Sequence, residues 1–280
     1  GFSDESKNLF TLAALNVLER CSYTAKSGQY LSWDCRSKKV QDANLARKKQ
    51  GKKPLPEHRV RAEIQNVQEA VTAELEHILT DISTIQQQGG KDTAAAIDFR
   101  EKSALYELAE LEDGCLKGVI TSPPYCNRYD YTRTYALELV YLGVTEAGIK
   151  KMRQDLLSCT VESKTKLDAL KRYYASIGQE ARFGQICGAI QENGAFHEIM
   201  SALHARGEHG DLNNDGVIRM VEGYFTELAF IYAELYRLCK PGATVAFVND
   251  NVRYGGEVIP VDFLSTSFAE QFGFRAEKIY

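Results

Sequence analysis

The sequence predicts an α/β fold, and three observations predict it. Apolar residues recur on a helical period in several long segments, two short β-branched stretches (118–121 and 244–250) stand between such segments, and Gly or Pro marks the joins. An order of helix, strand, loop, helices, strand, loop and helix pairs its strands in parallel. Ligands then gather at the carboxyl ends of those strands. A chain of 280 residues holds one large domain of this kind, or one domain with an elaborate insertion.

Taken in order, Leu9, Leu12, Leu15, Val17 and Leu18 set a helix over 7–21. Residues 27–34 (SGQYLSWD) read as a turn followed by a short extended piece. The composition then changes, because 36–63 holds ten Lys or Arg against three acids. A solvated linker is the commoner meaning of such a run. The alternative is a phosphate-contacting arm, since clustered cations gain by releasing counterions from a polyanion, and Lys48, Lys49, Lys52 and Lys53 would be its centre.

Val60, Ile64, Val67, Val71, Leu75, Ile78 and Ile82 place one long amphipathic helix over 60–88, stopped by Gly89-Gly90. A second helix, 103–112, ends at Asp113-Gly114 and leads into the strand 118–121. Residues 145–206 read as helical throughout, with Lys and Arg concentrated between 150 and 172. A strongly amphipathic helix over 221–239 runs to Lys240-Pro241-Gly242, and the second strand, 244–250, follows. Beyond Gly255-Gly256, residues 258–274 read as a helix, and 274–280 as the start of a last strand. The division this implies is a helical N-terminal region, 1–97, an α/β half made of 98–145 and 217–280, and a mainly helical insertion, 146–216, whose basic 150–172 stretch is a second candidate for contact with a polyanion.

A net charge of −4 gives the chain no global attraction to nucleic acid, so any such role falls to a local patch. The apolar runs are short and interrupted by charge, which excludes a membrane-spanning helix. Residues 1–20 lack a basic start followed by an apolar block, so no secretory signal is read. The seven cysteines are scattered and form no CxxC pair, as expected of mostly buried thiols in a reducing cytoplasm.

The chemistry concentrates where the first strand ends, at GVITSPPY (118–125). Neither proline donates a backbone hydrogen bond, and each restricts the residue before it, so the strand must stop there. The Ser122 hydroxyl and the Pro123 carbonyl are adjacent acceptors, Pro124 locks the turn, and the Tyr125 ring offers a face for a base turned out of a helix. Such a set suits the methylation of an exocyclic amine. That nitrogen is a weak nucleophile until its hydrogens are accepted, and its ring must be held flat. Arg128, Tyr129, Asp130, Tyr131 and Arg133 follow directly. They read either as a capped helix start with a tyrosine stripe or as a loop bordering the pocket and the phosphates.

The run of strand, SPPY and the later block RLCKPGATVAFVNDNVRYGGEVIPVDFL…GF resembles the DNA amino-methyltransferases, whose fourth motif reads (D/N/S)PP(Y/F); the likeness covers roughly residues 98–280. It implies a Rossmann-like methyltransferase sheet, here partial, with helices on both faces and a helical insertion. It also implies S-adenosylmethionine as methyl donor and double-stranded DNA as substrate; a cognate restriction nuclease, or a second chain carrying the cofactor loop, is the candidate protein partner. Ser at the first motif position is most typical of transfer to N4 of cytosine, while Asp or Asn favours N6 of adenine. By position, Ser122 and Pro123 would accept from the amine and Tyr125 would stack on the base. Transfer would be direct, with no covalent enzyme intermediate. Thr121, Asn249 and Asp250, at the two strand ends, are the candidates for cofactor contact. Methyltransferases acting on RNA adenine or protein glutamine use a similar turn, usually with Asn where Ser122 stands.

One part of that pattern is missing. The family's glycine-rich cofactor turn closes a first strand, and none of Gly184, Gly207, Gly210, Gly216 or the Gly-Gly pairs follows a strand ending in an acid and Phe. The sequence is therefore expected to be a fragment, its cofactor loop lying before Gly1, after Tyr280 or in another chain. The alternative is a non-catalytic recognition subunit.

A second motif, DLNNDGVIRMVE (211–222), satisfies the calcium-loop pattern, with Asp211, Asn213, Asp215 and Glu222 as oxygen donors beside the Val217 carbonyl. The bland reading is a loop whose Asn and Asp cap the next helix. Arg219 is unfavourable beside a cation. His197 and Glu198 do not extend to an H-E-x-x-H pattern, which removes a zinc-protease reading.

Overall fold

A computed structural model describes residues 3–27, 30–55, 63–88 and 96–280. The Gly89-Gly90 stop and positions 56–62 of the basic stretch lie outside the described residues. The chain packs as two units: 1–98 with 131–149, and 99–130 with 150–280.

The first unit opens with α1 (Asp4–Cys21), whose N-cap Ser3 accepts from the Ser6 N–H and whose first turn carries Asp4 and Glu5. The antiparallel hairpin β1 (Thr24–Ser27) and β2 (Tyr30–Trp33) follows. The basic stretch then forms a helix, α2 (Lys38–Lys49), that buries no side chain. Gly51, at φ +67°, ends it in a Schellman arrangement, the N–H groups of Gly51 and Lys52 reaching the Lys48 and Arg47 carbonyls. The predicted long helix is α3 (Val67–Gln87); it starts later than its apolar period, because Asn66 caps it by accepting from Gln68 and Glu69. Glu74 ties α3 to α1, accepting from Asn16 at 2.9 Å and Arg20 at 3.0 Å.

In the second unit, α4 (Ala104–Glu110) leads to β3 (Leu116–Thr121). The chain then contributes α5 (Tyr131–Thr134), α6 (Ala136–Tyr141) and the start of α7 (Glu146–Asp155) to the first unit before returning. The segment expected to be helical throughout is broken after α7 and resumes as α8 (Leu167–Ser176), α9 (Glu180–Glu192) and α10 (Gly194–Glu208). All three surround α11 (Gly216–Leu238), the main core helix. Tyr224, Phe225, Leu228 and Phe230 of α11 meet Tyr174 of α8, Ile186 of α9 and Phe196 of α10 in one core. Residues 167–208 thus share the core of the α/β half.

The strand β4 (Cys239–Phe247) follows α11 without a loop, so Lys240-Pro241-Gly242 already lie within it. It pairs in parallel with β3, Gly118 opposite Thr244 and Thr121 opposite Phe247. The Gly255-Gly256 turn, both residues at positive φ, closes an unpredicted hairpin of β5 (Val252–Tyr254) and β6 (Glu257–Ile259). A last helix, α12 (Val261–Gln271), packs on α11. The strand expected over 274–280 does not form, since no described strand pairs with those residues.

Alternation of helix and parallel strand is therefore present. Among the described residues the parallel sheet has two strands, and the expectation of helices on both faces is met on one of them. Phe247 packs toward the core against Tyr232, with ring centroids 5.0 Å apart. On the opposite face Ile120 is 89% exposed, with Ala246 and Val248 exposed beside it, because no described element reaches them. No helix among the described residues is long and apolar enough to cross a membrane.

Candidate active site

The parallel register brings two predicted segments to one place. Past the last strand pair, the Val248 N–H donates to the Thr121 carbonyl at 2.9 Å, so Ser122 and Asn249 leave the sheet side by side. The Ser122 hydroxyl lies 3.3 Å from the Tyr125 hydroxyl across the turn. Ser122 is exposed, while Pro123, Pro124 and Tyr125 are half-buried. The turn thus shows Ser122 to solvent beside the half-buried prolines. Asn249 donates to Ser265 of α12 at 3.2 Å, and Asp250 is exposed. Asn251 exchanges bonds with Asp262, at 3.0 and 3.2 Å, which fixes this second loop to the first turn of α12.

The segment after the turn is anchored residue by residue. The Tyr254 hydroxyl donates to the Cys126 carbonyl at 2.6 Å, and the Arg128 Nη1 donates to Asn213 Oδ1 at 3.0 Å. The Cys159 thiol donates to the Tyr129 carbonyl at 3.4 Å, and buried Asp130 pairs with Arg153 at 2.8 Å. Burial pushes the Cys126 thiol well above its ordinary range, and pushes that of Cys159 up to about 12. Neither is a thiolate at neutral pH, so neither thiol beside the turn has the character of a nucleophile.

Tyr131 and Arg133 start α5 and belong to the first unit, where the Arg133 guanidinium stands over the Tyr30 ring at 5.8 Å. Lys48, Lys49, Lys52 and Lys53 surround the end of α2 in that same unit, all exposed. The structure therefore joins Thr121–Tyr125, Arg128, Tyr129, Asn249 and Asp250 in one unit and places the other predicted contacts in the other.

The calcium-like loop is put to different use. Asp211 pairs with Arg206 at 3.2 Å, Asn213 receives Arg128, and Asn214 caps the N–H of Gly216 at 2.8 Å. Since α11 begins at Gly216, Val217 and Glu222 lie inside the helix, and Val217 is buried. Among the described residues no group of three His, Cys, Asp or Glu side chains is arranged to hold a metal ion. The geometry fits the capping loop and gives a calcium site no support.

Sequence reasoning missed Tyr254, Cys159 and a buried cluster behind them. Glu227 of α11 accepts from the Ser158 N–H and from Lys166, both at 2.8 Å, and from the Ser158 hydroxyl at 2.5 Å. Burial raises the carboxyl of Glu227, and Lys166 and Ser158 pull it back. The partners lie 61 and 69 positions away in sequence, so no local pattern marks them.

Fold and site together give an α/β unit with the SPPY turn at the carboxyl end of one of two parallel strands. Comparison with known proteins gives the family. The chain is 51% identical over 279 residues to the type II methyltransferase M.BsoBI of Geobacillus stearothermophilus, an alignment taking in 100% of this chain and 55% of that protein. It is 39% identical over 288 residues to the type II methyltransferase M.AvaI of Nostoc sp. and of Anabaena variabilis, covering 99% of this chain and 54% of theirs. The chain is homologous to type II methyltransferases along its full length, and it spans about half the length of the curated relatives it matches. No family model and no solved structure matches.

Proposed function

We propose that the chain is the base-accepting half of a DNA amino-methyltransferase that methylates N4 of cytosine. The observation that carries this reading is the register that sets SPPY beside the 248–250 loop at the carboxyl ends of two parallel strands. A cytosine turned out of the duplex stacks on Tyr125. Its exocyclic amine donates to the Ser122 hydroxyl and the Pro123 carbonyl, which favours the tetrahedral nitrogen that attacks a methyl group. Burial of Cys126 and Cys159 supports direct transfer, since a covalent route needs a thiolate.

The residues of this chain do not by themselves fit S-adenosylmethionine. Neither described parallel strand ends in a glycine-rich turn, and Asn249 is already bonded to Ser265. The methyl donor is assigned to polypeptide corresponding to the part of the relatives outside the aligned half. The bare Ile120 face is a fitting seat for it, because parallel sheets are ordinarily covered on both faces. Exposed Lys48, Lys49, Lys52 and Lys53 are assigned to DNA phosphates, with a site-matched restriction nuclease as the functional partner.

The test is nucleoside analysis of DNA modified by the full-length protein. N4-methylcytosine is expected. N6-methyladenine alone would overturn the base assignment, and no methylated base from the full-length product would leave the recognition-subunit reading.

A further inference from the structure

We infer that Tyr254 and Asn213 are positioning residues for the base pocket, holding the main chain that follows SPPY in the one conformation that presents Tyr125 and Ser122 together. The inference rests on the reading of SPPY as that pocket.

Arg128 is the one non-glycine residue at positive φ among those described, at +65°. A side-chain-bearing residue there is disfavoured and persists only when its surroundings enforce it. The enforcement is visible on both sides. Two residues before Arg128, the Tyr254 hydroxyl holds the Cys126 carbonyl at 2.6 Å; at Arg128 itself, the guanidinium is held by Asn213 at 3.0 Å. These two anchors are themselves packed together. A Cβ on Gly255, next to Tyr254, would come within 2.9 Å of Leu212, next to Asn213. Gly255 is thus required for the close approach of hairpin and loop as well as for its own φ of +55°.

The chain turns over 126–128 just after Tyr125: the Asn127 N–H bonds the Tyr125 carbonyl at 2.7 Å around Cys126, and the positive φ of Arg128 completes the turn. Releasing either anchor lets the turn relax and moves the Tyr125 ring relative to the two acceptors. Displacement of that size is costly, since misplacement by about 1 Å can cost about a hundredfold in rate. The 211–216 loop, which looks like a cation site in sequence, serves instead as a peg for the pocket.

The experiment uses the full-length protein and measures methyl transfer over a range of DNA concentrations. Tyr254→Phe removes one hydroxyl and leaves the ring in place, so the variant folds. Tyr254→Phe and Asn213→Ala are each expected to lower kcat about tenfold or more, with the DNA KM changed less than about threefold. Asn213→Asp keeps an acceptor for Arg128 and is expected to restore most of the rate. Arg128→Ala combined with Asn213→Ala is expected to be no worse than either alone, because the two act as one unit. A purely structural role would lower the melting temperature without this split between kcat and KM, and that result overturns the inference. So does an Arg128→Ala variant with raised KM and flattened salt dependence beside a fully active Asn213→Ala. Ser122→Ala separates the two levels. If it is fully active, the pocket reading itself fails; if it is inactive while Tyr254→Phe and Asn213→Ala are not, the positioning role alone fails.

Discussion

Single residues carry unequal weight in this molecule, and the buried ion pair behind the site shows why. Lys166 and Glu227 are 8% and 2% exposed at their side chains, and each is the other's counter-charge. Replacing one partner leaves a buried charge uncompensated, which costs about 3–5 kcal/mol. Lys166→Met is therefore expected to lower the unfolding free energy by that amount at neutral pH, read as a lower urea midpoint. The sign of its pH dependence follows from burial, which raises the Glu227 carboxyl. A carboxyl with a raised folded value is better tolerated when protonated, so the variant should regain stability as pH falls, and Glu227→Gln added to Lys166→Met should recover part of the loss. An unchanged midpoint in Lys166→Met would show that the pair is solvated. By contrast, the exposed pair Lys7–Asp4 on α1 contributes little, because water screens it.

At the scale of elements, α1 and α3 are joined through one carboxylate. The Asn16 amide, then the Arg20 guanidinium, hold Glu74 below its ordinary range. A carboxyl with a lowered folded value contributes stability that is complete above its unfolded value and is lost as pH falls through the folded one. Acidification below the usual carboxylate range should therefore loosen the first unit, and Glu74→Gln should flatten that acid limb in a melt-versus-pH series. An acid limb identical in the variant would show that Glu74 has no part in it. Most elements at this scale were legible in the sequence. The apolar period placed α1, α3, α4 and α11, and the β-branched runs placed β3 and β4. The hairpin β5–β6 was hidden because three-residue strands carry too short an alternation to register. The breaks within 145–206 were hidden because Ser, Thr and Lys at 158–166 do not forbid a helix; the bonds of Ser158 and Lys166 to Glu227 decide the matter from a distance.

For the molecule as a whole, a net charge of −4 leaves the proposed DNA contact to the end of α2. Replacing Lys48, Lys49, Lys52 and Lys53 with Gln in the full-length protein should weaken binding alike on all sequences. The log–log salt slope should become shallower by about 0.9 for each phosphate that is no longer neutralised; an unchanged slope would mean the lysines are only a solvated face. The end of β3 at SPPY was readable in sequence, since the run is continuous. Its setting was not, because Tyr254 reaches Cys126 across 128 positions. The same remoteness bears on how the protein is made. Thr121 finds Phe247 as its strand partner only after the helices between them exist. A pairing of such sequence separation must close a long loop before any contact rewards it. On the ribosome, SPPY emerges well before β4 is synthesised, so β3 waits meanwhile as an unpaired, aggregation-prone edge.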